Sequence, residues 1–190
     1  MRPFTQHTGI AASLLRDNID TDQIIPSREM KTVSKTGLKD GLFAGQRYIS
    51  GRVINPKFIL NQPPFTDATI LISGKNFGCG SSREHAVWAL KDFGIRAVIA
   101  ESFGEIFYNN CIRNGILAAQ MRASEIETLN NTVSIDLPNQ TIDGRPFNIP
   151  AGDKATLIEG LDAIAVTLRD KAKIDDFFAK DEMKFGWKYN

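Results

Sequence analysis

A glycine-flanked run, Gly78-Cys79-Gly80-Ser81-Ser82-Arg83-Glu84-His85, concentrates the side chains of this chain that are best suited to chemistry. It places two adjacent hydroxyls and a guanidinium where a strand-like stretch, 69–72, gives way to the helical period of residues 86–93. The start of a helix carries unpaired backbone N–H groups and partial positive charge. The run therefore predicts a strand-to-helix turn that holds an anionic ligand or the anionic form of a side chain.

Ser81 and Glu84 also have the spacing of a capping box, in which the serine oxygen accepts from the helix backbone and the glutamate reaches back. A cap is the more common reason for a serine at this position. It leaves Ser82, the two flanking glycines and Arg83 without a role. The helix dipole disfavours an arginine in the first turn, whereas its guanidinium fork binds carboxylate or phosphate. Arg83 therefore favours an anion site over a simple cap.

The spacing Gly78-x-Gly80 after a strand also matches the beginning of a dinucleotide-binding fingerprint, with Glu101 about twenty residues further on. Arg83 stands where the third glycine of that fingerprint belongs, and its bulk opposes close packing of helix on strand. The Gly-Lys-Ser/Thr ending of a P-loop and the Gly-x-Ser-x-Gly elbow do not occur. A stand-alone anion- or nucleotide-binding module remains an alternative.

The chain has 190 residues, 42% of them hydrophobic, which favours one domain over residues 1–190 with a sizeable core. The formal net charge is +1 and no basic run occurs, so we expect no binding to nucleic acid or to a membrane surface. No apolar stretch has the length of a membrane span, and residues 1–7 lack the apolar core of a signal peptide. A cytoplasmic location is therefore expected.

Two cysteines, Cys79 and Cys111, and two histidines, His7 and His85, are too few for a disulfide framework, a zinc site or a cysteine-ligated cluster. We expect both thiols to be reduced and no metal to be bound by this chain. Cys79 is interpreted as a small side chain in a crowded turn rather than as a nucleophile. Any metal chemistry would need a partner chain.

The region from residue 69 to residue 119 alternates strand, helix, strand, helix and strand, which predicts an α/β fold with a largely parallel sheet. Beyond residue 130 the pattern changes to short strands. The predicted elements there are strands at 132–137, 145–149 and 156–158, followed by helices at 161–169 and 170–180.

Three long segments, 18–26 with its Asp-Thr-Asp turn, 76–86 around the serine pair, and 102–110, occur in the same order as in one known family. Together they resemble the small subunits of 3-isopropylmalate dehydratases, which correspond to the mobile C-terminal domain of aconitase. The resemblance runs from about residue 10 to about residue 185.

The resemblance implies a three-layer β/β/α swivelling domain that is active only with a large subunit. That subunit is expected to carry a [4Fe–4S] cluster, with no cofactor on this chain. The implied reaction converts 2-isopropylmalate and 3-isopropylmalate into each other by dehydration and rehydration, in leucine biosynthesis. The implied ligands are a small dicarboxylic or tricarboxylic acid and the large subunit.

The resemblance also assigns roles to residues. Ser81 aligns with the catalytic base, which removes a proton from the carbon next to a substrate carboxylate. Arg83 aligns with a carboxylate clamp, and Ser82 with a further hydrogen-bond donor in the same pocket. A supporting set holds the serine turn in place: Asp22, Gly78, Gly80, Glu84 and His85.

One segment departs from the family pattern. After Pro26, where an aromatic residue and a leucine usually receive the apolar branch of the substrate, this chain has Ser27-Arg28-Glu29-Met30-Lys31. Met30 can receive a small alkyl group, whereas Arg28 can pair with a third carboxylate or dock on the large subunit. The alternative substrates are therefore a methyl-substituted malate, citraconate or homocitrate, turned over by a related hydro-lyase.

Overall fold

The computed structural model describes residues 1–31, 34–81 and 83–188. Two units result, Met1–Gly160 and Leu161–Asn190, and each is described by itself. The expectation of one domain over residues 1–190 stays a prediction. None of the helices in the described ranges is long and apolar enough to cross a membrane.

The first unit contains a seven-stranded sheet among its described residues, with the strand order β4-β3-β2-β1-β5-β6-β7. The strands are β1 (Gln6–Leu14), β2 (Ile70–Ser73), β3 (Ala97–Ala100), β4 (Leu117–Gln120), β5 (Thr132–Asp136), β6 (Thr141–Ile142) and β7 (Arg145–Pro146). Its helices are α1 (Thr21–Ile24), α2 (Ala44–Arg47), α3 (Glu84–Phe93), α4 (Glu105–Asn114), α5 (Ala123–Ile126) and α6 (Ala151–Glu159), with 3₁₀ turns at Ser27–Glu29, Lys39–Gly41, Ser50–Arg52, Ile59–Asn61 and Phe65–Asp67.

Strand β1 joins two halves of the sheet. On one side it pairs in parallel with β2, with Ala11 opposite Ile70, and β3 and β4 continue this parallel half. On the other side it pairs antiparallel with β5, with Gln6 opposite Asp136, and β6 and β7 continue the antiparallel half. The α/β class and the largely parallel arrangement of residues 69–119 are therefore confirmed.

Two apolar clusters cover opposite faces of the parallel strands, because successive side chains of a strand point to opposite sides. Leu71 and Val98 belong to the cluster shared with helices α3 and α4, whereas Ile70 and Ile99 belong to the other. That second cluster includes Val133 and further side chains of the antiparallel half: Ile135 and Ile142. The antiparallel strands thus form a layer on the parallel ones, which confirms the β/β/α arrangement.

The predicted strand at 156–158 is wrong, because these residues lie in helix α6. A short apolar run does not distinguish a strand from one face of a helix. Leu157 is buried, and the helix ends at Gly160, which has a φ of 66°. Glycine in this left-handed conformation is a common helix end, so Gly160 was the residue in the sequence that indicated a helix here.

The second unit is helical in its described residues, as predicted for 161–169 and 170–180. It contains α7 (Ala163–Arg169), α8 (Lys171–Phe185) and a 3₁₀ turn at Gly186–Lys188. Asp162 caps α7 by accepting a hydrogen bond from Ala165 N at 2.8 Å. Salt bridges one turn apart, such as Lys171 to Asp175, lie along α8.

Candidate active site

The turn between β2 and α3 passes directly over an aromatic ring. Gly78 has a φ of 74°, and a Cβ atom added there would overlap the ring of Phe107. Gly80 has a φ of 88°, again in the region that side chains rarely adopt. The backbone of this turn therefore requires glycine at both positions, which brings Ser81 to the surface beside helix α4.

The loop after β1 fastens the serine turn from a second side. Asp20 caps α1 by accepting a hydrogen bond from Gln23 N at 2.7 Å, which fixes the start of that helix. Thr21 then donates its hydroxyl to the carbonyl oxygen of Ser81 at 2.8 Å and its N–H to the carbonyl oxygen of Cys79 at 3.0 Å. The backbone of Ser81 is thus held by a buried threonine.

The start of α4 forms the third side. Gly104 N donates to the carbonyl oxygen of Phe77 at 2.9 Å, and a Cβ atom at position 104 would lie 2.8 Å from the carbonyl oxygen of Gly78. The rings of Phe77 and Phe107 meet edge to face at 5.3 Å between centroids. These contacts place the first turn of α4 against the serine turn.

The three segments enclose a pocket of about 250 Å³. Ser81 and Arg83 both line it, together with Glu105 and Asn110 of α4. Asn110 is one of the few polar side chains buried in the first unit, at 9% exposure. The pocket therefore combines a hydroxyl, a guanidinium and an amide with the carboxylate of Glu105. The guanidinium is the group in it that suits a small ligand with a carboxylate.

Arg83 forms an ion pair with Asp22, the acidic residue in the first turn of α1. Nη1 of Arg83 is the donor and Oδ1 of Asp22 the acceptor. A guanidinium has five N–H donors, so this bond leaves the rest of the fork available for a ligand in the pocket. The predicted supporting residue Asp22 thus contacts the predicted clamp directly.

The capping box expected at Ser81 and Glu84 is not what the described residues form. Helix α3 begins at Glu84 with Arg83 as N-cap, two residues later than a cap at Ser81 requires, and no side-chain cap bond is made within the described residues. Glu84 Oε1 instead accepts a hydrogen bond from the buried Asn114 amide at 2.8 Å. Glu84 therefore ties the start of α3 to the end of α4, a support that its local spacing does not reveal.

Two further residues of the predicted motif, His85 and Cys79, differ in their relation to the pocket. The ring of His85 packs on Trp88 at 4.6 Å between centroids, on α3 itself, and is not among the residues that line the pocket. Cys79 lines the pocket, but burial and then the charge of Asp20 raise the pKa of its thiol. That shift disfavours a reactive thiolate. Ser82 lies outside the described residues.

Arg28 and Met30 are not brought into the pocket of Ser81 by the described chain. Met30 packs against the helix-side apolar cluster. Arg28 lies 3.6 Å from Glu29 Oε1 with 68% of its side chain exposed, and it lines a separate surface pocket of about 370 Å³ near Arg52. The loop after Pro26 therefore presents a cation to its surroundings rather than to Ser81.

The described residues contain no group of three or more His, Cys, Asp or Glu side chains placed to hold a metal ion. Cys111 is fully buried, and burial raises the pKa of its thiol well above the ordinary value. A cluster needs several accessible thiolates, so the donor set of this chain does not fit a [4Fe–4S] group.

Thr21, Gly104 and Asn110 take part in the site although the sequence did not single them out. Thr21 stands inside the Asp-Thr-Asp turn, next to the predicted supporting residue Asp22. Gly104 and Asn110 lie within segment 102–110, one of the three segments that carry the family resemblance. The sequence therefore indicated the segments that form the site, but it did not indicate these individual residues.

Comparison with known proteins identifies the relatives of this chain. A family model described as the aconitase C-terminal domain matches residues 1–124. A 3-isopropylmalate dehydratase small subunit from Cupriavidus necator is 51% identical over 98% of both chains. One from Rhodopseudomonas palustris is 50% identical over 98% of this chain and 100% of its own length.

A solved structure of a 3-isopropylmalate dehydratase is also similar to this chain. The crystal structure of a 3-isopropylmalate dehydratase from Methanocaldococcus jannaschii matches with a TM-score of 0.68 and 30% identity, covering 90% of this chain and 98% of that one. With relatives of this similarity over nearly the full length, the chain belongs to the aconitase C-terminal domain family, together with the small subunits of 3-isopropylmalate dehydratase.

Proposed function

We propose that this chain is the small subunit of a hydro-lyase that interconverts 2-isopropylmalate and 3-isopropylmalate through dehydration and rehydration, in leucine biosynthesis. The observation that carries the proposal is the shared pocket of Ser81 and Arg83, which three separate segments of the chain position. Relatives with that printed name match the chain over nearly its full length. For such a biosynthetic step we expect a cytoplasmic location.

In the proposed mechanism Ser81 is the base. A serine oxygen is far too weakly acidic to act as a base in water, so its anionic form needs a preorganised, positively polarised site. The neighbouring guanidinium of Arg83 and the start of the ten-residue helix α3 supply positive charge at this place. Ser81 Oγ would then take the proton from the carbon next to a substrate carboxylate.

Arg83 holds that carboxylate in the proposed mechanism. A bidentate guanidinium–carboxylate pair fixes both position and orientation of the acid group, and this aligns the adjacent C–H bond with Ser81. Negative charge develops on the carboxylate as the proton leaves, so the same guanidinium is more valuable in the transition state than in the ground state. Ser82 is proposed as an additional donor.

The second half of the reaction belongs to the partner. When the proton leaves one carbon, the hydroxide must leave the neighbouring carbon so that the C=C bond forms, and water returns with the opposite regiochemistry. The names of the relatives imply a large subunit. We propose that it carries the [4Fe–4S] cluster, which supplies a Lewis acid for the departing hydroxide.

A second candidate is a related hydro-lyase that acts on a methyl-substituted malate, citraconate or homocitrate. The observation that favours it is the exposed guanidinium of Arg28, in the loop where the resembled family usually carries an aromatic residue and a leucine. An arginine there suits a third carboxylate better than an isopropyl group. Docking of Arg28 on the large subunit explains the same exposure without any change of substrate.

The two candidates are separated by turnover. The chain is combined with the large subunit that co-purifies with it, under anaerobic conditions, and kcat/KM is compared for 2-isopropylmalate, 3-isopropylmalate, citraconate and homocitrate. The leading proposal predicts the highest value for the two isopropylmalates. A complex that turns over another of these acids but neither isopropylmalate would contradict it.

A further inference from the structure

A second surface pocket lies at the opposite end of the parallel strands from Ser81. It has a volume of about 530 Å³ and is formed where residues precede strands β2, β3 and β4 and where helices α3 and α4 end. Ser81, by contrast, follows the carboxyl end of β2. The two pockets share no lining residue.

The charges around this second pocket all have one sign. Its lining, which lies wholly within the described residues, contains three cations, Arg2, Lys91 and Arg96, and no carboxylate. His7 lines it as well, with Nε2 hydrogen-bonded to Thr69 Oγ1 at 2.8 Å. Like charges that line one pocket repel each other, and a bound anion offsets this repulsion.

Much of the hydrogen-bonding capacity of these cations is unused. Lys91 Nζ donates to the carbonyl oxygen of Asn114 at 2.7 Å, which engages one of its three N–H bonds. Arg96 Nη2 makes one long bond of 3.3 Å to the carbonyl oxygen of Pro3, and its guanidinium lies over the Phe4 ring. Arg96 Nε is buried without a hydrogen-bond partner in the described chain.

The pKa values of three groups in this pocket are lowered. The pKa of His7 is lowered by burial and by the charges of Arg96 and Arg2. The pKa of Lys91 is lowered by burial, by Lys35 and by Arg96, and the pKa of Arg96 by burial and by Arg2. Burial is the largest cause of each shift, and the neighbouring positive charges lower the pKa values further.

Helix capping explains only part of this cluster. A lysine in the last turn of a helix, such as Lys91 in α3, is stabilised by the carbonyl groups and the dipole of the helix end. Arg2 and Arg96 lie in neither helix, and a concave pocket of this size is in the range of small-molecule sites, roughly 300–1,000 Å³.

We propose that this pocket binds a compact, multiply charged oxyanion of the phosphate or dicarboxylate class, held by Arg2, Lys91 and Arg96. Two guanidinium groups and an ammonium match the oxygen atoms of such an anion. This second pocket is separate from the pocket of Ser81. An anion bound in it would therefore stabilise or regulate the protein without competing with the substrate.

The test uses the full 190-residue chain and nuclear magnetic resonance of its two histidine rings, His7 and His85. Inorganic phosphate and, separately, malonate are titrated at an ionic strength kept constant with chloride. The proposal predicts a saturable change of the His7 resonances, and the comparison of the two probes identifies which class of oxyanion binds. A response confined to His85 would place binding at the serine turn and overturn the proposal.

Two matched double variants complete the test. Arg2→Ala/Lys91→Ala removes two exposed cations of the pocket and is expected to weaken binding at least about tenfold. Lys57→Ala/Arg122→Ala removes the same two charge types elsewhere on the surface and should leave affinity unchanged. Equal weakening in both variants, or no saturable binding in the millimolar range by the wild-type chain, overturns the proposal.

Discussion

Asp22 and Arg83 form an ion pair that joins the first turn of α1 to the N-cap of α3. Arg83 is 29% exposed and Asp22 55% exposed, so the pair lies at the mouth of the pocket rather than in the core. The carboxylate engages Nη1 and leaves the remaining donors of the guanidinium for another acid. The pair therefore orients the clamp before any substrate arrives.

This orientation predicts a kinetic effect for Asp22→Asn. An exposed ion pair contributes little to stability, so the free energy of unfolding should change by less than about 1 kcal/mol. A less well oriented Arg83 should lower kcat/KM by up to about tenfold, with a loss in kcat, because the guanidinium stabilises the transition state more than the bound substrate. Steady-state kinetics of the reconstituted complex measure this, with Asp67→Asn as an exposed control. An unchanged kcat and kcat/KM would show that Asp22 does not position the clamp.

The glycine requirement at position 78 predicts a stability difference between two substitutions. Gly78→Ala forces a methyl group into the Phe107 ring and should cost about 2 kcal/mol or more. Gly144→Ala has a similar φ of +77° but nothing within 4 Å of the added carbon, so only the backbone term of about 1 kcal/mol applies. Urea denaturation of both variants tests this. Equal losses in the free energy of unfolding would show that the contact with Phe107 adds nothing to the cost of Gly78→Ala.

The raised thiol pKa of Cys79 predicts slow alkylation. Burial and the charge of Asp20 disfavour the thiolate, which is the nucleophilic form. At neutral pH, iodoacetamide should modify Cys79 more slowly than an unstructured cysteine peptide, and Cys111 should react only after unfolding. Mass spectrometry of timed samples gives both rates. A burst of labelling at Cys79 would instead identify a reactive thiol beside Ser81.

The lowered pKa of His7 predicts a pH dependence of stability. The folded chain disfavours protonated His7, because burial and two arginines oppose a further positive charge. The unfolded chain binds the proton at the ordinary pKa of about 6.5. Folding stability from this group is therefore complete above that pH and is lost as the pH falls below it. His7→Gln should flatten this dependence in urea titrations, and a slope identical to that of the wild type would exclude His7 as its source.

The sequence predicted the region from β2 to β4 well for a specific physical reason. Its strands are short apolar runs flanked by turn residues, and α3 follows a clear helical period that ends at Gly94, which has a φ of 120°. The run 156–158 was misassigned because three apolar residues fit either kind of element. The tertiary setting, with Leu157 buried on one face of α6, decides between them, and the sequence signal for the helix is Gly160 at its end.

The site likewise contains residues that the local sequence predicted and contacts that it did not predict. Ser81 and Arg83 were predicted together because they are neighbours in the chain. The hydroxyl of Thr21 on the Ser81 carbonyl and the bond from Asn114 to Glu84 join residues 60 and 30 positions apart. No local pattern encodes such pairs, and local spacing alone therefore assigned Glu84 to a capping box that the described residues do not form.

The most direct test of the account is the turnover of Ser81→Ala in a reconstituted complex with the large subunit. Ser124→Ala, an exposed serine at the start of α5, is the control for loss of a hydroxyl. If Ser81 is the base, kcat for 2-isopropylmalate falls at least about 100-fold, while the free energy of unfolding and subunit association change little. A kcat near the wild-type value would contradict the central claim that this serine removes the substrate proton.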